Sequence, residues 1–204
     1  MFPELETILH QARADRLSGA TALAMGVCTS LEAVCGRLRG HAVQGDLEDF
    51  ALSIAKAQPN MGSVWNVANG ILHRSSDVSS VGEFCSQMAS HLSSAPGKLA
   101  EIASPQVSGR RILTTSSSSA VFHAVLKAAA GQGTSAIVCE SRPLREGVLM
   151  ARELGRLGVP VTVIADAALT LLSSEASVGL VGADVVNKDG IIGKIGLAHL
   201  AMAC

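Results

Sequence analysis

Two different spacings of apolar residues divide the chain. Through residues 1 to about 100 the apolar positions recur at helical intervals. In GDLEDFALSIAKAQ, Leu47, Phe50, Ala51 and Ile54 share one helical face, and the run ends before Pro59, whose ring disfavours helix in the residue ahead of it. Upstream, SGATALAMGVCTSLEAVCGRLRG predicts an Ala/Leu-rich helix that is capped at Ser18 and stops near Gly40. MGSVWNVANGILHR and SSVGEFCSQMASHL predict two more helices. In SSAPGKLAEIASPQVSG, Pro96, Gly97, Pro105 and Gly109 surround a short helical piece, which places a domain boundary there. The expected organisation is a helical domain over residues 1–105 and a second domain over 106–204.

After Gly109 the pattern becomes one of short apolar, β-branched runs alternating with helices. RRILTT, SAIVCES, PVTVIAD and SVGLVGAD read as strands, and the segments between them as crossover helices. A loop, VVNKDGIIG, and a terminal helix from about Lys194 close the chain. Parallel strands need such crossovers, so the expectation is an α/β fold with a parallel sheet covered on both faces. In such sheets ligands bind outside the carboxyl ends of the strands. That edge collects Thr115 to Ser119, Glu140 to Arg142, Asp166 and Asp184.

Composition narrows the function classes. Hydrophobic residues make up 48% of the 204 and charged residues 16%, enough for a sizeable core. Aromatics are scarce (Trp65, four Phe, no Tyr), which argues against stacking single-stranded nucleic acid. A net charge of -1 offers no general pull on nucleic acid or anionic membrane. The five cysteines have irregular spacing and no C-x-x-C, which reads as reduced thiols without a metal site. No apolar run reaches membrane length, and MFPELETILHQARADR is charged where a signal peptide is apolar. The expectation is a cytoplasmic protein with no metal, no cofactor, no direct nucleic-acid contact and no membrane contact.

The chemistry concentrates at the predicted strand ends. Ser116, Ser117 and Ser118, with Ser119, lie where a helix begins, either as a cap or as an anion cradle of free N–H groups. Arg142 precedes Pro143 at a helix start, where a guanidinium grips phosphate in two-pronged fashion or stands in solvent. Asp184 suits a general acid/base, a sugar-hydroxyl ligand or a turn cap. Lys194 opens a Gly-flanked loop as a partner for phosphate or for Asp184. Asp166 reads as an N-cap, Arg145, Arg152 and Arg156 as a solvated face, and His123 as a packed or surface residue. His10, His41, His73, His91 and His199 show no ligand spacing. GQGTSA imitates a dinucleotide fingerprint but follows a helix and precedes a strand, the reverse of what that motif needs.

ILTTSSSSAV, ESRPLREGVLMARELGRLGVPVTVIAD and GADVVNKDGIIGKIG, in that order, resemble the family that joins the alpha, beta and delta subunits of translation initiation factor 2B to aldose-phosphate isomerases. Those isomerases act on methylthioribose 1-phosphate and ribose 1,5-bisphosphate. DRLSGATALAMG and VWNVANGILHR weakly resemble the family's helical half. The resemblance implies an N-terminal helical domain, a Rossmann-like domain that is short at its C-terminus for the family, a homodimer, and a sugar-phosphate or nucleotide ligand in the crevice. It implies ligand contacts from Ser116, Ser117, Ser118, Arg142, Glu146, Asp184 and Lys194. The isomerases' acid/base pair is a cysteine and an aspartate. The aspartate falls on Asp184 and the cysteine on Ser116. Their glutamine in the R-P-L-x-Q-G segment falls on Glu146, their asparagine before K-I-G on Gly193, and their R-P-T segment on Gln58 to Asn60. The expectation is a noncatalytic, factor-2B-like protein that keeps the crevice. The alternatives are an aldose-phosphate isomerase with Asp184 catalytic, or an assembly subunit without ligand.

Overall fold

A computed structural model describes residues 1–15, 18–38, 43–131 and 133–204. The backbone divides into two compact units, Met1–Ser94 and Ala95–Cys204. His41, Gly40, Gln132 of GQGTSA, and Arg16 and Leu17 of DRLSGATALAMG lie outside the described residues.

The first unit is helical: α1 (Pro3–Ala14), α2 (Ala20–Cys35), α3 (Val43–Ala57), α4 (Gly62–Leu72) and the start of α5 (Val78–Val107). In α1, Pro3 fills the first turn, Glu4 and Glu6 face the positive end of the helix dipole, and Arg13 sits in the last turn. Leu5, Leu31, Leu47, Phe50, Ile54, Val64 and Ile71 are fully buried, so the helical face read from α3 is the face that builds the core. Phe84 packs so closely on α4 that a Cβ at Gly70 would lie 1.9 Å from its ring. Two local readings change. Ser18 does not cap α2: Gly19 holds the cap position, and the Ser18 N–H donates instead to Asp15 at 2.8 Å. The short helical piece expected around Pro96 and Pro105 is instead part of one continuous helix, since both prolines lie inside α5. Each proline removes one backbone bond from a helix of 30 residues, and the intervening Lys98, Leu99, Ala100 and Glu101 are strong helix formers.

The second unit contains β1 (Arg111–Thr114), α6 (Ser119–Ala129), β2 (Ser135–Cys139), α7 (Glu146–Arg156), β3 (Val161–Ile164), α8 (Leu169–Leu172), β4 (Val178–Gly179), β5 (Val185–Asn187), β6 (Gly190–Ile192) and α9 (Leu197–Ala203). The sheet runs β3-β2-β1-β4 with every pairing parallel, as the alternation of strand and helix predicts. Alternation along β1 and β2 feeds two cores. Ile112, Ala136 and Val138 join Val121, Val125, Met150 and Leu154 from α6 and α7. Leu113, Ile137 and Cys139 join Leu169 and Leu200 from α8 and α9. The chain therefore covers one face while it moves outward through β2 and β3, with α6 and α7. It covers the other with α8, on the return from β3 to β4, and with α9 after it. Between β1 and β4 the strand order reverses, the position at which open α/β sheets bind their ligands.

The end of the chain differs from expectation. VVNKDGIIG forms the β5–β6 hairpin instead of a loop, because the Asn187 side chain accepts the N–H groups of Asp189 at 2.9 Å and Gly190 at 3.1 Å and so closes the turn. The terminal helix starts at Leu197 and not at Lys194, since Gly196 has φ of 103°. Among the described residues no helix is long and apolar enough to cross a membrane.

Candidate functional site

β1 delivers Thr115 and Ser116 to the switch point, both buried. Ser116 has φ of 67°, a left-handed conformation that costs a non-glycine residue about 1 kcal/mol or more. Ser141 after β2 and Arg145 before α7 are also left-handed, with φ of 65° and 58°. The three are linked. The Ser116 N–H donates to Ser141 Oγ at 2.6 Å, and the Arg145 N–H to the Ser141 carbonyl at 2.8 Å. Asp166, from the end of β3, accepts the N–H groups of Ser141 at 2.8 Å and Arg142 at 2.7 Å. Asp166 is thus not the cap of its own helix but the clamp on the neighbouring strand's turn. Its place at a strand end was the only sequence signal for this, because the pairing arises across the sheet.

The Ser116 hydroxyl donates to Glu146 Oε1 at 3.4 Å, and Lys194 Nζ lies 2.7 Å from the same oxygen. Three residues distant in sequence, from β1, α7 and the segment after β6, therefore meet. Asp184 joins them electrostatically: burial pushes its carboxyl above the usual range, and the nearby Lys194 partly opposes that. Ser118 supplies the helix cap, its Oγ accepting the Val121 N–H at 3.4 Å, and its side chain packs against Gly182 in the segment leading to Asp184. Ser117 is exposed. Arg142 stands apart from the Lys194 group: its guanidinium lies 3.2 Å from Glu140, which also holds Arg145 at 3.6 Å. A groove of about 430 Å³ beside β3, lined by Arg145, Arg152, Val161 and Val163, lies at the opposite strand of the sheet from β4.

The raised carboxyl of Asp184 has a consequence for stability. Its ordinary value is 3.8, and above that pH the unfolded chain releases a proton that the folded state still holds. Stability from this group therefore falls as pH rises through the window above 3.8. Asp184→Asn should be more stable than the parent at neutral pH and equal to it near pH 3, as measured by urea unfolding across that range.

The thiol nearest in sequence, Cys139, is buried, and burial with the Asp166 charge pushes it to about 11. It stays protonated at neutral pH and offers no thiolate in place of the missing cysteine.

The fold and this edge define a doubly wound α/β unit, preceded in the chain by a helical one, with a cluster of polar side chains at the topological switch point. The chain belongs to the Initiation factor 2 subunit family, whose sequence profile matches residues 14–204. It is 30% identical over 211 residues to an eIF-2B subunit 2-like protein of Pyrococcus horikoshii, covering 100% of this chain and 75% of that one. It is 30% identical over 200 residues to a ribose 1,5-bisphosphate isomerase of Haloferax volcanii, covering 87% of this chain and 61% of the isomerase. The solved structure of the Pyrococcus horikoshii OT3 translation initiation factor eIF-2B superposes with a TM-score of 0.89 at 28% identity, over 100% of this chain and 75% of that one.

Proposed function

We propose that this chain is a noncatalytic, factor-2B-like protein that binds a phosphorylated sugar or nucleotide at the switch-point crevice. The observation that carries the reading is Ser116, held left-handed and buried, with its hydroxyl on the Glu146–Lys194 pair. Backbone strain held this firmly at a strand end suits a ligand site better than a bare helix cap. The same arrangement suits proton transfer poorly. A serine hydroxyl does not titrate near neutral pH, and a general acid or base works best when it does. The phosphoryl group would sit at the start of α6, against N–H groups and the helix dipole, with Lys194 as its cation, while Arg142 stays on Glu140. Asp184 would take a ligand hydroxyl. The protein would act in the cytoplasm as a homodimer.

One observation favours the isomerase instead. A carboxyl lifted by burial, as at Asp184, is the tuning expected of a general acid. Thermal unfolding against aldose 1-phosphates, sugar bisphosphates and nucleoside monophosphates tests both readings. A ligand at ~100 times its Kd adds roughly 2.7 kcal/mol, or about 5 °C or more in Tm for a chain of this size. The expected result is a shift with a restricted set of ligands, lost in Lys194→Ala, and no conversion of the bound sugar phosphate. Turnover by the parent chain would establish the isomerase. No shift across the panel from folded protein would leave the assembly subunit without ligand.

A further inference from the structure

We propose that Glu146 makes the crevice selective for a ligand with one phosphoryl group flanked by hydrogen-bond donors, and against a ligand that brings a second phosphoryl group to the same crevice. The inference rests on the reading of the crevice as a phosphorylated-ligand site and names its charge rule.

Glu146 enters from the first turn of α7, and its side chain is largely buried. Oε1 is taken by Lys194 and by the Ser116 hydroxyl. Oε2 is buried and has no hydrogen-bond partner among the described residues. An ionised carboxylate oxygen only accepts, so the group that completes Oε2 must be a donor: a sugar hydroxyl or an amine. A phosphoryl oxygen is also an acceptor and carries the same sign. Set against Oε2, it would meet a like charge at short range, beside a half-exposed lysine where added salt still acts.

The surrounding charges lead to the same conclusion. Lys194 already neutralises Glu146 and is shared with Asp184. Arg142 and Arg145 are held by Glu140, and Asp166 faces the backbone of the same turn. Four carboxylates thus stand against three cations around this strand edge. One phosphoryl group can lean on the N–H groups opening α6 and on the helix dipole. A second has no uncommitted cation among these groups and the Glu146 carboxylate in its way. Glu146 thereby reads two things about a ligand, the presence of donors and the absence of further negative charge.

Titration calorimetry with ribose 5-phosphate, ribose 1,5-bisphosphate and inorganic phosphate tests this on the full chain and on Glu146→Gln, which keeps the shape, removes the charge and adds a donor. The parent chain should bind ribose 5-phosphate at least about tenfold more tightly than the bisphosphate, since like-charge contacts across an interface are strongly unfavourable. It should also bind ribose 5-phosphate more tightly than inorganic phosphate, which has no sugar hydroxyls for Oε2. In Glu146→Gln the preference for the monophosphate should vanish or reverse. Because that variant could fold poorly, the parent chain is also titrated at rising ionic strength, where the mono-to-bisphosphate ratio should narrow as charges are screened. Bisphosphate binding as tight as that of ribose 5-phosphate in the parent, or a ratio unmoved by both charge removal and salt, would overturn the proposal while leaving the crevice intact. If none of the three binds to folded parent protein, the crevice reading itself fails and the charge rule with it.

Discussion

Gly147→Ala is expected to destabilise the α/β unit by about 3 kcal/mol or more, the upper end of overpacking costs, and to lower Tm by roughly 6–12 °C. The reason is a backbone contact that nothing can relieve. A Cβ on Gly147 would lie 1.9 Å from the Cys139 carbonyl oxygen and 3.1 Å from Ser141 Oγ. The carbonyl belongs to the last residue of β2, a central strand paired on both sides, so it cannot move without carrying its neighbours. To relieve the clash α7 would have to lift from the strand end, and with it Glu146, which precedes Gly147 and holds Lys194 and Ser116. Ligand-induced stabilisation should be lost together with Tm. Gly155→Ala, in the same helix with nothing within 4 Å of its Cβ, is the control. It should stabilise by about 0.5–1 kcal/mol, the usual gain of alanine over glycine inside a helix. Equal effects from the two variants, read by thermal unfolding, would refute the account of α7 docking.

Asp166→Ala should cost about 1–2 kcal/mol, the range for losing a side chain that caps backbone N–H groups at the surface. Both run to successive N–H groups, those of Ser141 and Arg142, and they hold the turn in which Ser141 is left-handed. Ser141 Oγ in turn receives the Ser116 N–H. Removing the carboxylate therefore frees the turn that carries Ser141 and Arg142. Asp166→Asn, which keeps an acceptor oxygen, should fall between parent and alanine variant. Glu153→Ala breaks only an exposed pair with Arg156 at 3.7 Å and should change stability by less than about 0.5 kcal/mol. Urea unfolding of the three variants decides the matter. An alanine variant as stable as the parent would mean that the turn holds itself.

The two halves of the fold were legible because each follows from local spacing. Apolar residues at helical intervals over α3, and β-branched runs separated by helix formers after Gly109, leave few other arrangements. The rule that parallel sheets bind ligands at their carboxyl edge then placed Ser116, Asp166 and Asp184 on one rim. Proline misled the reading of α5: propensity costs one hydrogen bond per proline, whereas a long helix is stabilised by everything it packs against. The β5–β6 hairpin was missed since its turn is closed by the side chain of Asn187 and not by a two-residue glycine turn.

The sequence by itself determined the helical half, the parallel sheet and the edge on which polar residues gather, because these depend on period, branching and turn chemistry within a few residues. The β5–β6 hairpin and the unbroken α5 were the exceptions. The tertiary structure alone decided which of those polar residues touch. Asp166 became a clamp on its neighbour's turn, Glu146 became the shared acceptor of Ser116 and Lys194, and Arg142 was drawn to Glu140. Such pairings join residues tens of positions apart, and their distances are set by strand order and register, which no local pattern encodes.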